Sequence, residues 1–318
     1  MRHYTNLDAA ESVFFSKELE YRKSQSYDII KAPLTAFELI PVSHEMDPAA
    51  ETMAYEQYDS VGLARVISNY ADDLPRVDVK GKEFISRIRG TGDSYGWSLQ
   101  EIRASQRAGK RLDQRKGNAA IRAQRELWNR IAFYGDPVNG LPGLLTNMSI
   151  PGADALTGAA GKKWVNKTGA EILADLNELA NANWILTKGV ERPNTIVLPL
   201  AEYTIANTRA WQSGGTDTTI MQFFRDANPH ITEVRPCVEF SGAELAANGV
   251  TRFNGGVAMS YYKSPEKLEL QMPQMFEELP VEVRGLEFII NCHARIGGVT
   301  VYYPFSLRFM DAFTSDAV

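Results

Sequence analysis

Residues 98–134 read SLQEIRASQRAGKRLDQRKGNAAIRAQRELWNRIAFY, and this segment decides the fold. Ser98 is followed three residues later by Glu101, the spacing of a capping box in which each side chain bonds to the backbone amide of the other residue. Apolar side chains then recur at three- or four-residue spacing, or at multiples of it, which predicts one long helix with a narrow apolar stripe. The predicted stripe consists of Ile102, Leu112, Ala119, Ala123, Leu127 and Ile131.

Positive charge dominates this helix. Nine basic residues stand against two acids between positions 103 and 130, although the formal net charge of the chain is −5. Like charges four residues apart cost about 0.2–0.5 kcal/mol per pair when they are unmatched, so either acids of another subunit or phosphate groups should offset them. No aromatic residues alternate with the arginines, so any nucleic-acid contact would be to the backbone and sensitive to salt. The candidate basic surface is Arg103, Arg107, Lys110, Arg111, Arg115, Lys116, Arg122 and Arg125.

Composition describes an ordinary globular protein. The chain has 318 residues, of which 44% are hydrophobic and 23% are charged. This length and apolar content suffice for one large hydrophobic core or for two closely packed ones. Two cysteines cannot form a disulfide framework, which favours a reducing compartment. The N-terminus leads into no apolar signal segment, and no apolar run is long enough to span a bilayer. We therefore expect synthesis in a cytoplasm and no membrane partner.

The remaining sequence predicts an α+β protein. Residues 60–97 read as two strands around a polar turn, because Val77 and Val79 alternate with charged residues. A two-stranded ribbon is marginal in water alone, so we expect it to lie on another surface, such as a second copy of the chain. Helices are predicted over 168–186, 199–211 and 218–227. Strands are predicted over 195–198, 230–238, 256–263 and 267–272, with a long pair covering 280–313.

The sequence contains only partial matches to the motifs of catalytic and metal sites. Residues 92–96, Gly-Asp-Ser-Tyr-Gly, match the nucleophile elbow of serine hydrolases, but the helix begins only at Ser98, four residues after Ser94. Residues 72–73 and 44–47, which contain acids and His44, could bind a metal. However, the whole chain has only four histidines, which are few ligands for a fully coordinated site. The glycine- and lysine-rich segment 158–163 lacks the spacing of a phosphate loop. We therefore predict no catalytic residues, no cofactor and no metal, and expect the chain not to be an enzyme.

The order of these parts resembles the major capsid proteins of tailed bacteriophages, which share the Hong Kong 97-type capsid fold. The resemblance runs from about residue 50 to the end. It rests on the capped basic helix, the loop Gly-Asp-Pro-Val-Asn-Gly-Leu-Pro-Gly at 135–143, the segment Asn-Thr-Ile-Val-Leu-Pro at 194–199, and the ending at 281–305.

The resemblance implies a division of the chain. Residues 1–45 would form an N-terminal arm and residues 60–97 an extended β-hairpin loop that reaches across a neighbouring subunit. A peripheral domain would contain 46–59, 98–194 and 276–318, with 98–134 as its spine helix, and 195–275 would form the axial domain. Some relatives bond a lysine of this loop to a neighbour's asparagine, and whether this chain does so stays open. The candidate intersubunit loop residues are Asp72, Asp73, Pro75, Lys80 and Lys82.

The resemblance also implies a function. Copies of the chain would form pentamers and hexamers that close an icosahedral shell around packaged double-stranded DNA, in the virion of a tailed phage or prophage. DNA would be held by non-specific backbone contact, and separate scaffolding, decoration and portal proteins are possible partners. Two alternatives are an encapsulin-type nanocompartment and, less favoured, a serine hydrolase that uses Ser94.

Overall fold

The computed structural model describes residues 29–62, 76–108, 112–212 and 218–314. Chain contacts divide the protein into two units, Met1–Pro33 and Leu34–Val318, and every element below belongs to the second. Its helices are α1 Ala36–Leu39, α2 Leu99–Ala108, α3 Leu112–Tyr134, α4 Gly169–Leu186, α5 Leu200–Thr208, α6 Ile220–Ala227 and α7 Gly242–Ala247. Its strands are β1 Val42–Ser43, β2 Thr52–Val61, β3 Asp78–Arg87, β4 Arg89–Ser98, β5 Gly152–Asp154, β6 Thr195–Pro199, β7 Glu233–Cys237, β8 Ala258–Tyr261, β9 Leu268–Gln271, β10 Gln274–Glu278, β11 Glu282–Arg284, β12 Glu287–Ile296, β13 Gly298–Val301 and β14 Leu307–Asp311.

The long basic helix is present as α2 and α3, and residues 109–111 between them lie outside the described residues. The capping box is confirmed: the Glu101 amide donates to Ser98 Oγ at 3.2 Å, and the Ser98 amide donates to Glu101 Oε2 at 3.1 Å. The predicted apolar stripe is wrong on α3, where Ala119 and Ala123 are exposed. The buried row is instead Gly117, Ala120, Gln124, Trp128 and Ile131.

The physical reason for this shift is that a polar residue and a glycine occupy the buried face of α3. Gln124 Nε2 donates to Asp93 Oδ1 of β4 at 3.3 Å, which compensates for part of its burial, while Gln124 Oε1 is buried without a hydrogen-bond partner among the described residues. Gly117 sits where α3 crosses the sheet, and a Cβ placed there would lie 3.3 Å from the Tyr95 hydroxyl. The absence of a side chain therefore permits the close approach of helix and sheet.

Among the described residues, the strands form four sheets. One has the order β5-β14-β8-β6-β7, another the order β1-β9-β13, and β2 pairs with β3 alone. The fourth contains β10, β11 and β4, all paired with β12. The predicted long strand pair over 280–313 is present only as the short hairpin of β11 and β12. The rest of the prediction is wrong, because β12 also pairs with β4, β13 pairs with β9, and β14 pairs with β8, in three different sheets.

Two buried clusters fill the second unit. One surrounds the C-terminal half of α3 and includes Trp128 and Phe133, and the other surrounds α4 and includes Trp164. Strand β6 is buried along its whole length. Because side chains alternate across a strand, Val197 enters the first cluster while Ile196 and Leu198 enter the second. The predicted strand over 195–198 is thus confirmed, and it contributes side chains to both clusters.

Helix α4 confirms the prediction over 168–186. Thr168 and Glu171 form a capping box at its N-terminus, and its buried face includes Ile172, Leu176 and Leu179. Beneath the helix, Lys167 and Asp175 form an ion pair with an N···O distance of 2.5 Å, and both side chains are 0% exposed. The same carboxylate accepts from Trp164 Nε1 at 2.7 Å and from the Leu156 amide at 3.0 Å. Burial raises the pKa of Asp175 even though Lys167 acts in the opposite direction.

The five-stranded sheet crosses the predicted boundary between the peripheral and axial domains. The five-stranded sheet takes β6, β7 and β8 from within 195–275, but β5 and β14 come from outside that range. The boundaries of the peripheral and axial domains therefore stay predictions.

No helix among the described residues combines the length and the apolar character required to cross a membrane.

Candidate assembly surfaces: the ribbon and the basic helix

Strands β2 and β3 form a two-stranded ribbon of ten residue pairs, from Thr52 opposite Arg87 to Val61 opposite Asp78. The ribbon begins earlier in the chain than predicted, and β4, which was expected to belong to it, pairs with β12 instead. The alternation at Val77 and Val79 predicted only β3 and not its partner β2. Residues 63–75, which include the predicted loop residues Asp72, Asp73 and Pro75, lie outside the described residues.

One side of the ribbon, which we call the inner face, contacts the body of the subunit. Gln57 Nε2 donates to the Tyr302 carbonyl oxygen at 2.6 Å, and Ser86 Oγ donates to the Gly297 carbonyl oxygen at 3.3 Å. The Tyr55 ring stacks on Phe84 at a centroid distance of 5.1 Å and meets the Tyr302 ring edge-on at 4.8 Å. These contacts fix the base of the ribbon on Gly297 and Tyr302, the residues that flank strand β13.

Tyr302 is itself held firmly. Its hydroxyl donates to Glu269 and accepts a hydrogen bond from Gln271 Nε2 at 3.1 Å. Burial, together with the bond to Glu269, raises the pKa of Tyr302, so the phenol stays protonated. The ribbon thus rests on a neutral, hydrogen-bonded side chain rather than on a mobile one.

The opposite side of the ribbon, which we call the outer face, is exposed. Tyr58, Val79 and Ile85 are 69%, 59% and 68% exposed, although they are large apolar or aromatic side chains. Glu56 and Glu83 lie directly opposite each other on this face. The Tyr58 hydroxyl donates to Glu56, and this bond raises the pKa of Tyr58. An apolar row interrupted by two adjacent carboxylates is therefore presented to the surroundings.

The predicted lysines lie on the distal half of β3. Lys80 is exposed and stands opposite Asp59. Lys82 is also exposed, and its Nζ lies 4.7 Å from the centroid of the Phe84 ring. Opposite-charge and cation–π contacts of this kind stabilise an exposed ribbon by a few tenths of a kcal/mol to about 1 kcal/mol.

The basic surface is partly neutralised within the chain. Lys116 Nζ bonds to the Gly96 carbonyl oxygen at 2.7 Å and to Glu101 at 3.2 Å, and Arg122 pairs with Glu126 at 2.8 Å. Arg115 is exposed, and Lys110 and Arg111 lie outside the described residues. Arg103, Arg107 and Arg125 are exposed and form no ion pair with any residue in the described ranges.

A groove of about 640 Å³ runs between α1 and α3. Its apolar walls include Phe37 and Trp128, whose rings meet edge-on at 6.1 Å, and Met275, which is half exposed. Arg122 and Arg125 line the groove as well. The sequence did not reveal this site, because its walls come from segments that are at least 80 positions apart in the chain. The remaining lining residues are Leu34, Glu38, Asn118 and Ile121.

The hydrolase interpretation fails on geometry. Ser94 lies in the middle of β4, where it pairs with Asn291 of β12, so no strand-to-helix turn presents its hydroxyl. Within the described ranges, no group of three or more histidine, cysteine, aspartate or glutamate side chains could hold a metal ion.

Comparisons with known proteins agree with the architecture. The profile of the family described as major capsid protein matches residues 62–312. The chain is similar to the capsid of Myoviridae phage XM1, with a TM-score of 0.79 and 17% identity, covering 94% of this chain and 98% of that chain. The capsid of the native GTA particle gives a TM-score of 0.62 at 10% identity, covering 94% and 97% of the two chains. Mycobacterium phage Adephagia gives 0.61 at 12% identity, covering 94% and 98%. No curated protein sequence matches the chain.

Proposed function

The chain belongs to the major capsid protein family, and from that premise we propose that its copies form pentamers and hexamers that close an icosahedral shell in the virion of a tailed phage or prophage. The fold is the Hong Kong 97-type capsid fold, as the similarity to the XM1 capsid over nearly the whole of both chains indicates. The family match favours this function over the nanocompartment and hydrolase alternatives.

The observation that carries the proposal is the exposed outer face of the ribbon. Large apolar side chains on a two-stranded ribbon are costly to leave in water, and a ribbon of this size is marginal without a covering surface. A neighbouring subunit supplies that surface if each copy overlaps the next. Such a contact is heterologous, and it closes into rings when the rotation between copies divides a full turn. The loop residues Asp72, Asp73, Pro75, Lys80 and Lys82 would then lie at the subunit boundary.

The division into domains follows from the same proposal. Residues 195–275 would surround the symmetry axis of each ring, together with the strands β5 and β14 that complete their sheet. Residues 98–134 would form the spine of the peripheral domain. Synthesis in the host cytoplasm, and scaffolding, decoration and portal proteins as separate chains, complete the proposed assembly. The chain would have a structural role and no catalytic one.

Assembly is tested by negative-stain electron microscopy of the purified chain. We expect uniform closed particles, or flat rings of five or six subunits. A monodisperse monomer of 35.4 kDa, even at high concentration and with crowding agents, would contradict the proposal.

Packaged double-stranded DNA would be held through phosphate contacts on α2. Arg103 and Arg107 support this role, because both are exposed and unpaired within the described ranges. The double substitution Arg103→Gln and Arg107→Gln should lower the salt dependence of duplex binding by assembled subunits by about two, since each neutralised phosphate contributes about 0.9 to the logarithmic slope. The measurement is duplex affinity as a function of salt concentration.

The matched control for this experiment removes the same charge elsewhere. Lys163 and Lys188 are exposed lysines away from the basic helix, and their substitution by Gln should leave the slope unchanged. Equal effects from the two pairs would show that binding depends on overall charge and not on α2.

A further inference from the structure

We propose that His230 acts as a proton-operated latch for residues 188–192, which we call the strap. The strap lies between α4 and β6, and β6 belongs to the five-stranded sheet. While His230 is neutral, it holds the strap against the end of α4 through Arg192, and protonation of the ring releases it. The latch operates within one subunit, so its test does not depend on the proposed shell function.

Arg192 links the strap to both His230 and α4. Its Nη2 atom lies 3.1 Å from His230 Nδ1, and its guanidinium lies 4.8 Å from the centre of the Trp184 ring in the last turn of α4. Because arginine has no acceptor, the contact with His230 is a hydrogen bond from Arg192 and requires that Nδ1 carries no proton. A proton on Nδ1 would place two N–H groups and two positive charges opposite each other, which drives the guanidinium away.

The surroundings of His230 disfavour its charged form. Burial, followed by the charge of Arg192, lowers the pKa of His230, although the Ala180 carbonyl oxygen of α4 acts in the opposite direction. The Nε2 atom is buried and makes no well-formed hydrogen bond within the described ranges. Since the usual pKa of histidine is about 6.5, the ring is neutral at neutral pH. The stability that the closed strap contributes is therefore complete above about pH 6.5 and is lost as the pH falls through the lowered pKa of His230.

The charged groups of the neighbouring elements do not compensate a second positive charge at this place. Lys188 of the strap, and Arg225 and Asp226 of α6, are exposed. The acids of α4, the strap and β7 are paired with other cations: Glu178 with Arg308, Glu191 with Lys267 and Glu233 with Lys263. Repulsion between the protonated ring and Arg192 is therefore relieved by movement of Arg192.

The backbone of the strap favours its release. Lys188 has a φ of 54° and Gly189 a φ of 93°, and a lysine adopts the left-handed region only at a cost in energy. When Arg192 leaves, Glu191 keeps its bond to Lys267 at 2.6 Å, so the movement is confined to the strap and the end of α4. Val190 of the strap is 78% exposed, so acid changes the shape of an apolar surface without disturbing either buried cluster.

Tryptophan emission from the unassembled chain, measured as a function of pH, tests the latch. Subtracting the emission of Trp184→Phe isolates the signal of the ring that Arg192 covers. We expect this signal to change in a single transition with its midpoint below about pH 6.5, because the pKa of His230 is lowered. A Trp184 signal that stays constant down to about pH 5, or a midpoint above about pH 6.5, would overturn the latch.

Three variants separate protonation of His230 from a merely structural role. In His230→Asn the side-chain oxygen can still accept from Arg192 but does not titrate, so the strap should stay closed and the transition should disappear. Arg192→Gln should give the emission of the open strap at every pH. His44 is exposed and bonds to the Met272 carbonyl oxygen after β9, so His44→Asn should keep the transition. A transition that persists in His230→Asn, or that is lost in His44→Asn, would show that His230 is not the switch.

Discussion

We expect shortening of the ribbon to abolish the proposed shell assembly and to leave the rest of the chain folded. Because Tyr55 pairs with Phe84, deleting residues 57–82 and substituting Glu56→Asn and Glu83→Gly joins the strands through an Asn-Gly turn, the preferred two-residue hairpin connection. The deletion removes Tyr58 and Val79, whose burial in the proposed subunit contact would contribute about 1.5–3 kcal/mol each. Losing both corresponds to a weakening of each subunit contact by roughly a hundredfold to ten-thousandfold.

The measurement combines electron microscopy with circular dichroism and thermal unfolding of the shortened chain. Both buried clusters lie outside the deleted residues, so the helical signal should be unchanged. The Tyr55 and Ser86 contacts to the body remain, so the shortened hairpin should stay in place. Normal shells from the shortened chain would show that the ribbon has no part in assembly.

Breaking the buried ion pair beneath α4 is the substitution with the largest expected effect on stability. Asp175→Ala leaves Lys167 as an uncompensated charge at 0% exposure, and such a loss costs about 3–5 kcal/mol. The Trp164 indole and the Leu156 amide lose their acceptor at the same time. Chemical denaturation of the unassembled chain measures the change in the free energy of unfolding.

Two further variants test whether loss of the buried ion pair causes the destabilisation. The double substitution Lys167→Met and Asp175→Leu removes both charges and should recover most of the loss, because an apolar pair of similar volume often replaces a buried ion pair without net cost. Asp154 and Lys162 form a pair at 2.5 Å whose side chains are 53% and 37% exposed, and Asp154→Ala should cost at most about 1 kcal/mol. A loss in the double variant as large as that of Asp175→Ala would mean that the ion pair is not the cause.

Sequence patterns predicted those helices and strands that depend only on residues close together in the chain. The capping box at Ser98, the helix over 168–186 and the strand over 195–198 each depend on residues within a few positions of one another, and all three are confirmed. The strand partners were not predictable in this way. Strand β12 has a clear strand pattern, but its partner β4 begins at Arg89, and no alternation in either segment encodes that pairing.

The candidate surfaces show the same limit. The positive charge of the basic helix is visible in the sequence, but Lys116 finds Gly96 and Glu101 only after α3 turns back along β4. The first ribbon strand was missed because its sequence, TMAYEQYDSV, mixes polar and aromatic residues on both faces. The face that contacts the body is decided by Tyr302, far along the chain.

The contacts of Gln57 and Tyr55 with Tyr302 have a consequence for the kinetics of shell formation. A ribbon already fixed at its base loses its conformational freedom when the subunit folds, and not when two subunits meet. The encounter between subunits should therefore carry a smaller entropic penalty, and we expect the proposed assembly to nucleate at a lower subunit concentration than a flexible ribbon would require.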